Sequence, residues 1–413
     1  MTRATRPSRS LTLIFKVHEP FRLRSCSVVA PPADGVVFEE QVTAAQLRAL
    51  SERWFLPANR KLLELVSRHR SFFRCAFFLS GPLLAQLPSA APGVVASFRE
   101  IVSSGNVELL GGTSHHTFPS ILDSDEFATQ ISLYQEELRR FFGVAAEIFV
   151  SPELNYPAAL SPVLARMGFR GVVSSAPARS FDRTGVDFLG LSGAVPPLLI
   201  ADRTLSTVLT SQLREVECPL HGAEQMLRQL EAVVPSGRGA IVCIDYAALA
   251  GTDDHVLRAL ESLGALIELL AGQTDWSFTS LTECLHRVQA PPAGKNGTPL
   301  TGVHAWGAHG ETPLNEMQRR ALRELRELAP FLKRWGDAPA LETWRRFLCC
   351  DHIEYMRTCV EAGCVDTLCQ GPYESPYDAF INFMNALRAF RRHISIAAGE
   401  SIISGDELCT TAE

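Results

Sequence analysis

Residues 147–175 read EIFVSPELNYPAALSPVLARMGFRGVVSS and hold one complete unit of a fold. EIFVS (147–151) is a short apolar run suited to a strand, and GVVSS (171–175) is a second. The stretch between them, from LNYPAAL onward, reads as a helix. Continuous apolar strands separated by helices imply parallel pairing with both sheet faces buried. The first strand releases a single acid, Glu153, at its end. Working outward, further strand candidates are LTLIFKVH (11–18), FRCAFFLS (73–80), NVELLGG (106–112) and AIVCIDY (240–246), with DWSFTS (275–280) weaker. Helical stretches lie between them, such as ATQISLYQEELRRFFG, which closes on Gly143 as helices often close on glycine. An α/β barrel and an open doubly wound sheet both satisfy this order.

In either fold the loops at the C-terminal ends of parallel strands carry function. Strand one ends at His18-Glu19-Pro20, and strand three runs into GGTSHHTF with His115 and His116. The fourth ends at Glu153 and the late one at Asp245-Tyr246. Two carboxylates, histidines and an aromatic would thus share one rim. Such a set suits glycosidic bond cleavage, in which one carboxylate attacks and another protonates the leaving oxygen. The bland alternative is that Glu153 and Asp245 each cap the helix that follows. His18 alone suits a core histidine, and adjacent His115 and His116 cannot both face one site. No His-x-x-x-His pair or zinc-type cysteine spacing occurs, so no metal site is expected.

The 413-residue chain carries a formal net charge of −6, which gives no basic footprint for nucleic acid. FLGLSGAVPPLLIA is too short and too proline-broken to span a membrane. The N-terminal apolar run, LTLIF, is too short for an export signal. The 11 scattered cysteines read as reduced thiols, and a cytoplasmic location is expected. Residues 288–302, VQAPPAGKNGTPLTG, read as a linker, and beyond them the pattern is helical. Met317, Ala321, Leu322, Leu325, Leu328 and Ala329 share one helix face, and residues 396–413 look like a frayed acidic tail. Nothing in the sequence reports an oligomeric state.

LIFKVHEPFRLR (13–24), VELLGGTSHHTF, IFVSPELNYPAALSPVLARMGFRGVVS, IVCIDYAALAG, CCDHIEYM (349–356) and GPYESPYDAFINFMNALRAF (371–390) together resemble glycoside hydrolase family 57, specifically its bacterial α-amylase-like branch. The resemblance runs in order through nearly the whole chain. It implies an incomplete (β/α)₇ barrel over residues 1–287 and a helical C-terminal domain over 303–395. It also implies a retaining glycosidase or glucanotransferase acting on α-glucans or oligosaccharides, with Glu153 as nucleophile and Asp245 as general acid/base. His18 and His116 would position sugar hydroxyls, and no metal or organic cofactor would be needed. Trp54, Tyr156 and Tyr246 are candidates to stack on sugar rings, although each could equally be core.

Three departures stand out. Val150-Ser151-Pro152 stands where the family carries Arg-Asn-Thr, so a cation beside the nucleophile is lost. AALAGTDD replaces an acid- and histidine-bearing run after Asp245, and LSTVL (205–209) lacks two aspartates. These losses motivate an alternative, a degenerate member that binds carbohydrate or a protein partner without cleavage. The histidine cluster motivates another, a metal-dependent deacetylase-like enzyme on a related barrel.

Overall fold

A computed structural model describes residues 9–27, 32, 35–154, 160–176, 188–189, 196–287, 314–358 and 371–399. Nine strands are present among them: β1 (Arg9–Val17), β2 (Cys75–Leu79), β3 (Val107–Leu109), β4 (Ile148–Val150), β5 (Gly171–Ala176), β6 (Phe188–Leu189), β7 (Leu198–Asp202), β8 (Gly239–Asp245) and β9 (Trp276–Phe278). Seven of them run in the order β3-β2-β1-β8-β7-β5-β4, all parallel. The two ends then meet. Gly111, just past β3, donates to the Ile148 carbonyl and accepts from the Val150 amide, each at 2.8 Å. The sheet therefore closes into a seven-stranded barrel, one strand short of the usual eight. Closure needs Gly111, because a Cβ there would lie 2.7 Å from the Phe169 ring.

The weak candidate at 275–280 is a strand, but it is not a barrel stave. β1 gives one edge to β8 over Ser10–Lys16 and the other to β2 over Leu13–Val17. β9 occupies the lower end of that second edge, against Arg9–Leu11. The stave that the pattern hid is β7, which follows Pro196-Pro197 and holds five register pairs to β5. To β8 it holds one, Ala201↔Ile241. Beyond that pair the helix Arg203–Arg214 takes over, and the Ser206 hydroxyl accepts the Cys243 amide at 3.0 Å.

Helices cover the barrel and bury aromatic side chains between the layers, among them Phe15, Phe55, Phe77 and Phe98. The helix Ser124–Phe142 shows how local sequence sets such an element. Asp123 caps its first turn by accepting the Glu126 amide at 2.8 Å, and Gly143 ends it in the left-handed conformation at φ 72°.

The last described helices, Glu316–Trp335, Ala338–Phe347, Cys350–Glu354 and Pro376–Ala398, form a second apolar cluster. Ala321, Leu322, Leu325 and Leu328 are buried there, while Met317 and Ala329 pack at its edge. Phe21, Phe38 and Phe118 from the barrel loops join the same cluster, so the helical layer sits on the loops at the strand ends. The linker at 288–302 lies outside the described residues, and the final helix continues to Ala398 before Gly399 ends it.

Candidate active site

Strand alternation sends Lys16, Phe78, Val150, Cys243 and Asp245 toward the barrel interior, where they line a cavity of about 270 Å³. His116, Ser151 and Leu154 line it from the loops, and Arg203, Thr207 and Arg214 from the helix after β7. Asp245 closes β8 and accepts the Ala247 amide at 3.0 Å, so it also caps a short turn. Glu153 lies in the turn Pro152–Leu154 that follows β4, between Ser151 and Leu154, and its side chain is outside the described set. Leu154 has φ 57° and His116 has φ 52°, the only positive values at non-glycine residues among those described. For an L-residue that conformation costs about 1–2 kcal/mol. Both strained residues border this one cavity, and such strain gathers at functional sites.

The left-handed turn at His116 also separates it from its neighbour. His115 points away, with Nδ1 2.8 Å from the Ser114 hydroxyl and Nε2 3.1 Å from both Glu342 oxygens. His116 points inward, and its ring lies 4.3 Å from that of His18 at a 34° tilt. The approach of this loop depends on Gly81, where a Cβ would sit 1.9 Å from the Ser114 carbonyl oxygen.

His18 is held from behind. Its Nε2 lies 2.8 Å from Oδ2 of Asp351, which the helix Cys350–Glu354 delivers across the mouth. The Cys349 thiol donates to the same oxygen at 3.1 Å. Burial opposes the charge on Asp351. The charge and hydrogen bond of His18, with His116 and Lys16 nearby, nevertheless hold its carboxyl well below the ordinary carboxylate range. Glu19 goes the other way. Burial pushes its carboxyl up against the pull of His18 and Arg22, and the negative charges of Asp351 and Asp245 add to the rise.

The helical layer is fastened at several points around these groups. Cys350 donates its amide to the His116 carbonyl at 3.0 Å, and Thr117 pairs with Cys349. Arg345 makes two bonds to buried Glu126, at 2.7 and 3.1 Å. Lys333 reaches Asp123 at 2.7 Å. At Glu342, burial pushes the carboxyl up, but His115 and Arg346 hold it down at about 2.

With this geometry in view, residues 12–188 match the family described as glycosyl hydrolase family 57. Over this segment, somewhat under half of the chain, the protein is similar to that family. A Methanocaldococcus jannaschii protein that carries an α-amylase name is 20% identical, over 93% of this chain and 84% of its own length. The family 57 branching enzyme of Thermococcus kodakaraensis superimposes with a TM-score of 0.63 at 12% identity, over 95% of this chain and 92% of the other. The 4-α-glucanotransferase of Thermococcus litoralis gives 0.59 at 12% identity, over 84% of this chain; the match spans 56% of that longer protein. These two likenesses establish the shared fold.

Within this barrel, Asp245, His116 and the turn holding Glu153 come to one cavity. His18 sits beside it, committed to Asp351. Two expected sugar platforms are not at the rim. Tyr246 is 1% exposed and donates its hydroxyl to Asn59 Oδ1 at 2.6 Å, inside a ring of Phe15, Phe77 and Phe98. It follows Asp245 by one residue, so alternation turns it to the helix layer. Trp54 is 3% exposed and stacks on Phe55 at 4.2 Å. Neither offers a face to a ligand, and both are core residues. Tyr156 lies outside the described residues. Asp351 is the residue at this site to which the sequence reading gave no role, although it lies in CCDHIEYM (349–356), one of the stretches that carry the resemblance. The described cysteines are all free thiols.

Proposed function

We propose that this chain is a family 57 member that cleaves or transfers α-1,4-linked glucan chains by double displacement. Glu153 attacks the anomeric carbon, the glycosidic C–O bond breaks, and Asp245 gives its proton to the leaving oxygen. A water or a sugar hydroxyl then attacks the glycosyl-enzyme, Asp245 takes its proton, and Glu153 departs. His116, buried in the cavity wall, backs the position of the sugar, and His18 keeps that ring in place by stacking on it. The observation that carries this reading is the shared cavity: Ser151 and Leu154, which flank Glu153, line the same space as Asp245, and Leu154 is strained. The names of the relatives supply the substrate class.

Two observations favour the second reading, a protein that binds glucan without cutting it. The Asp245 carboxylate is already engaged by the Ala247 amide, and Val150-Ser151-Pro152 brings no cation to Glu153. Incubation with maltooligosaccharides and soluble starch, resolved by chain length, separates the two. Shortened or redistributed chains that vanish in Glu153→Gln establish catalysis and distinguish hydrolysis from transfer. Binding without product establishes the second reading. Turnover that persists in Glu153→Gln removes Glu153 from its role.

A further inference from the structure

The corner behind His116 holds more chemistry than a glycosidase mechanism uses. Cys349 Sγ, Asp351 Oδ2 and a ring nitrogen of His18 all lie within 4.8 Å of one another. His116, Cys350 and the same Asp351 form a second such triple alongside. Cys349 is fully buried, and the His18 and Asp351 side chains are only 10% and 19% exposed. A thiol, an imidazole and a carboxylate facing one point is the donor set of a zinc-type site with an open fourth position.

We propose that His18, Cys349 and Asp351 bind one thiophilic divalent cation of the zinc class, with the fourth position turned to the His116 side of the mouth. Tetrahedral ligands at about 2.0–2.3 Å from zinc stand roughly 3.3–3.7 Å apart. The direct contacts to Asp351 Oδ2, 2.8 Å from His18 and 3.1 Å from Cys349, are shorter, so the cation enters by opening these bonds by about half an ångström. Binding releases the Cys349 thiol proton to solvent, together with any proton held between His18 and Asp351. Two ligands belong to the helical layer and one to the end of β1, so the ion also fastens that layer to the barrel. The backbone is already arranged for this, through the Cys350 amide on the His116 carbonyl and the Thr117–Cys349 bridge. The sequence carried no ligand spacing because His18 and Asp351 are 333 positions apart.

The test does not depend on glucan turnover, so it stands or falls apart from the proposed function. The full chain is stripped with a chelator, loaded with Zn²⁺ or Co²⁺, passed through gel filtration and analysed for metal. One ion per chain is expected, with a thiolate-to-cobalt charge-transfer band that Cys349→Ala loses and Cys218→Ala, at an exposed thiol, retains. Should Cys349→Ala fail to fold, alkylation of the wild-type protein with and without Zn²⁺, mapped by peptide mass, gives the same answer. Protection by Zn²⁺ is expected at Cys349. No retained ion, a cobalt spectrum without a thiolate band, or protection only at other cysteines overturns the proposal.

Discussion

The mouth of the barrel has two unlike sides. At β4 and β8 it is made by strand ends and opens into a cavity, with Asp245 half-buried and a helix stripe facing it. At β1 and β3 it is sealed, with His116 fully buried and His18 pinned by a carboxylate from the far end of the chain. Under the proposed function the open side takes the reacting sugar; the closed side fixes the imidazole rings that border it. Position along a strand is enough to make the first, whereas the second exists only once the helical layer has docked. Chemistry on the open side and stability on the closed side should therefore respond separately to mutation.

The sharpest way to break that division is Glu153→Gln, for which a loss of at least about 10³-fold in kcat with an unchanged unfolding midpoint is expected. Asp245→Asn should lose about 10²–10⁴-fold on natural glucans and much less on substrates with good leaving groups, as steady-state kinetics on both will show. On the closed side the main effect should be on folding. Asp351→Asn removes the anion from a buried pair, and denaturant titration should find a loss of about 3–5 kcal/mol. Tyr246→Phe leaves the Asn59 amide without its buried donor and should cost about 1–3 kcal/mol while KM for maltooligosaccharides stays put. A raised KM there would return Tyr246 to the rim.

The smallest effect concerns Glu342. Its folded carboxyl sits at about 2, below its unfolded value, so its contribution is complete above about pH 4.5 and fades as pH falls toward 2. Melting curves across that window should show less acid sensitivity in Glu342→Gln than in the wild type. Equal sensitivity would mean that the His115 contact does not hold the helical layer.

Much of the open side was legible beforehand. Apolar runs bounded by turn residues gave six of the seven staves, and the strand-end rule led to Asp245 and to the turn of Glu153. β7 escaped because two prolines precede it and its five residues run straight into the Asp202 cap of the next helix. The division of labour between His115 and His116 rests on one positive φ, which no periodicity encodes. Tyr246 and Trp54 could be given to rim or core equally well until strand alternation and the packing of Phe55 decided it. Asp351 was beyond reach for a different reason. A contact spanning 333 residues has no local signature, so CCDHIEYM could be matched as a motif without disclosing that its acid meets His18.

The meeting of β7 and β8 has a consequence for how the barrel breathes. Two neighbouring staves share one ladder pair, and a serine hydroxyl stands in for the next backbone acceptor. In native-state hydrogen exchange, the Cys243 amide should be released by a local slip of the helix Arg203–Arg214, at a fraction of the free energy of global unfolding. The amides that β1 and β2 exchange over Leu13–Val17 belong to the slowest class, because nothing short of opening the sheet exposes them. The barrel thus has a rigid spine at β1 and a seam at β8, and Asp245 sits at the end of the strand that joins the two.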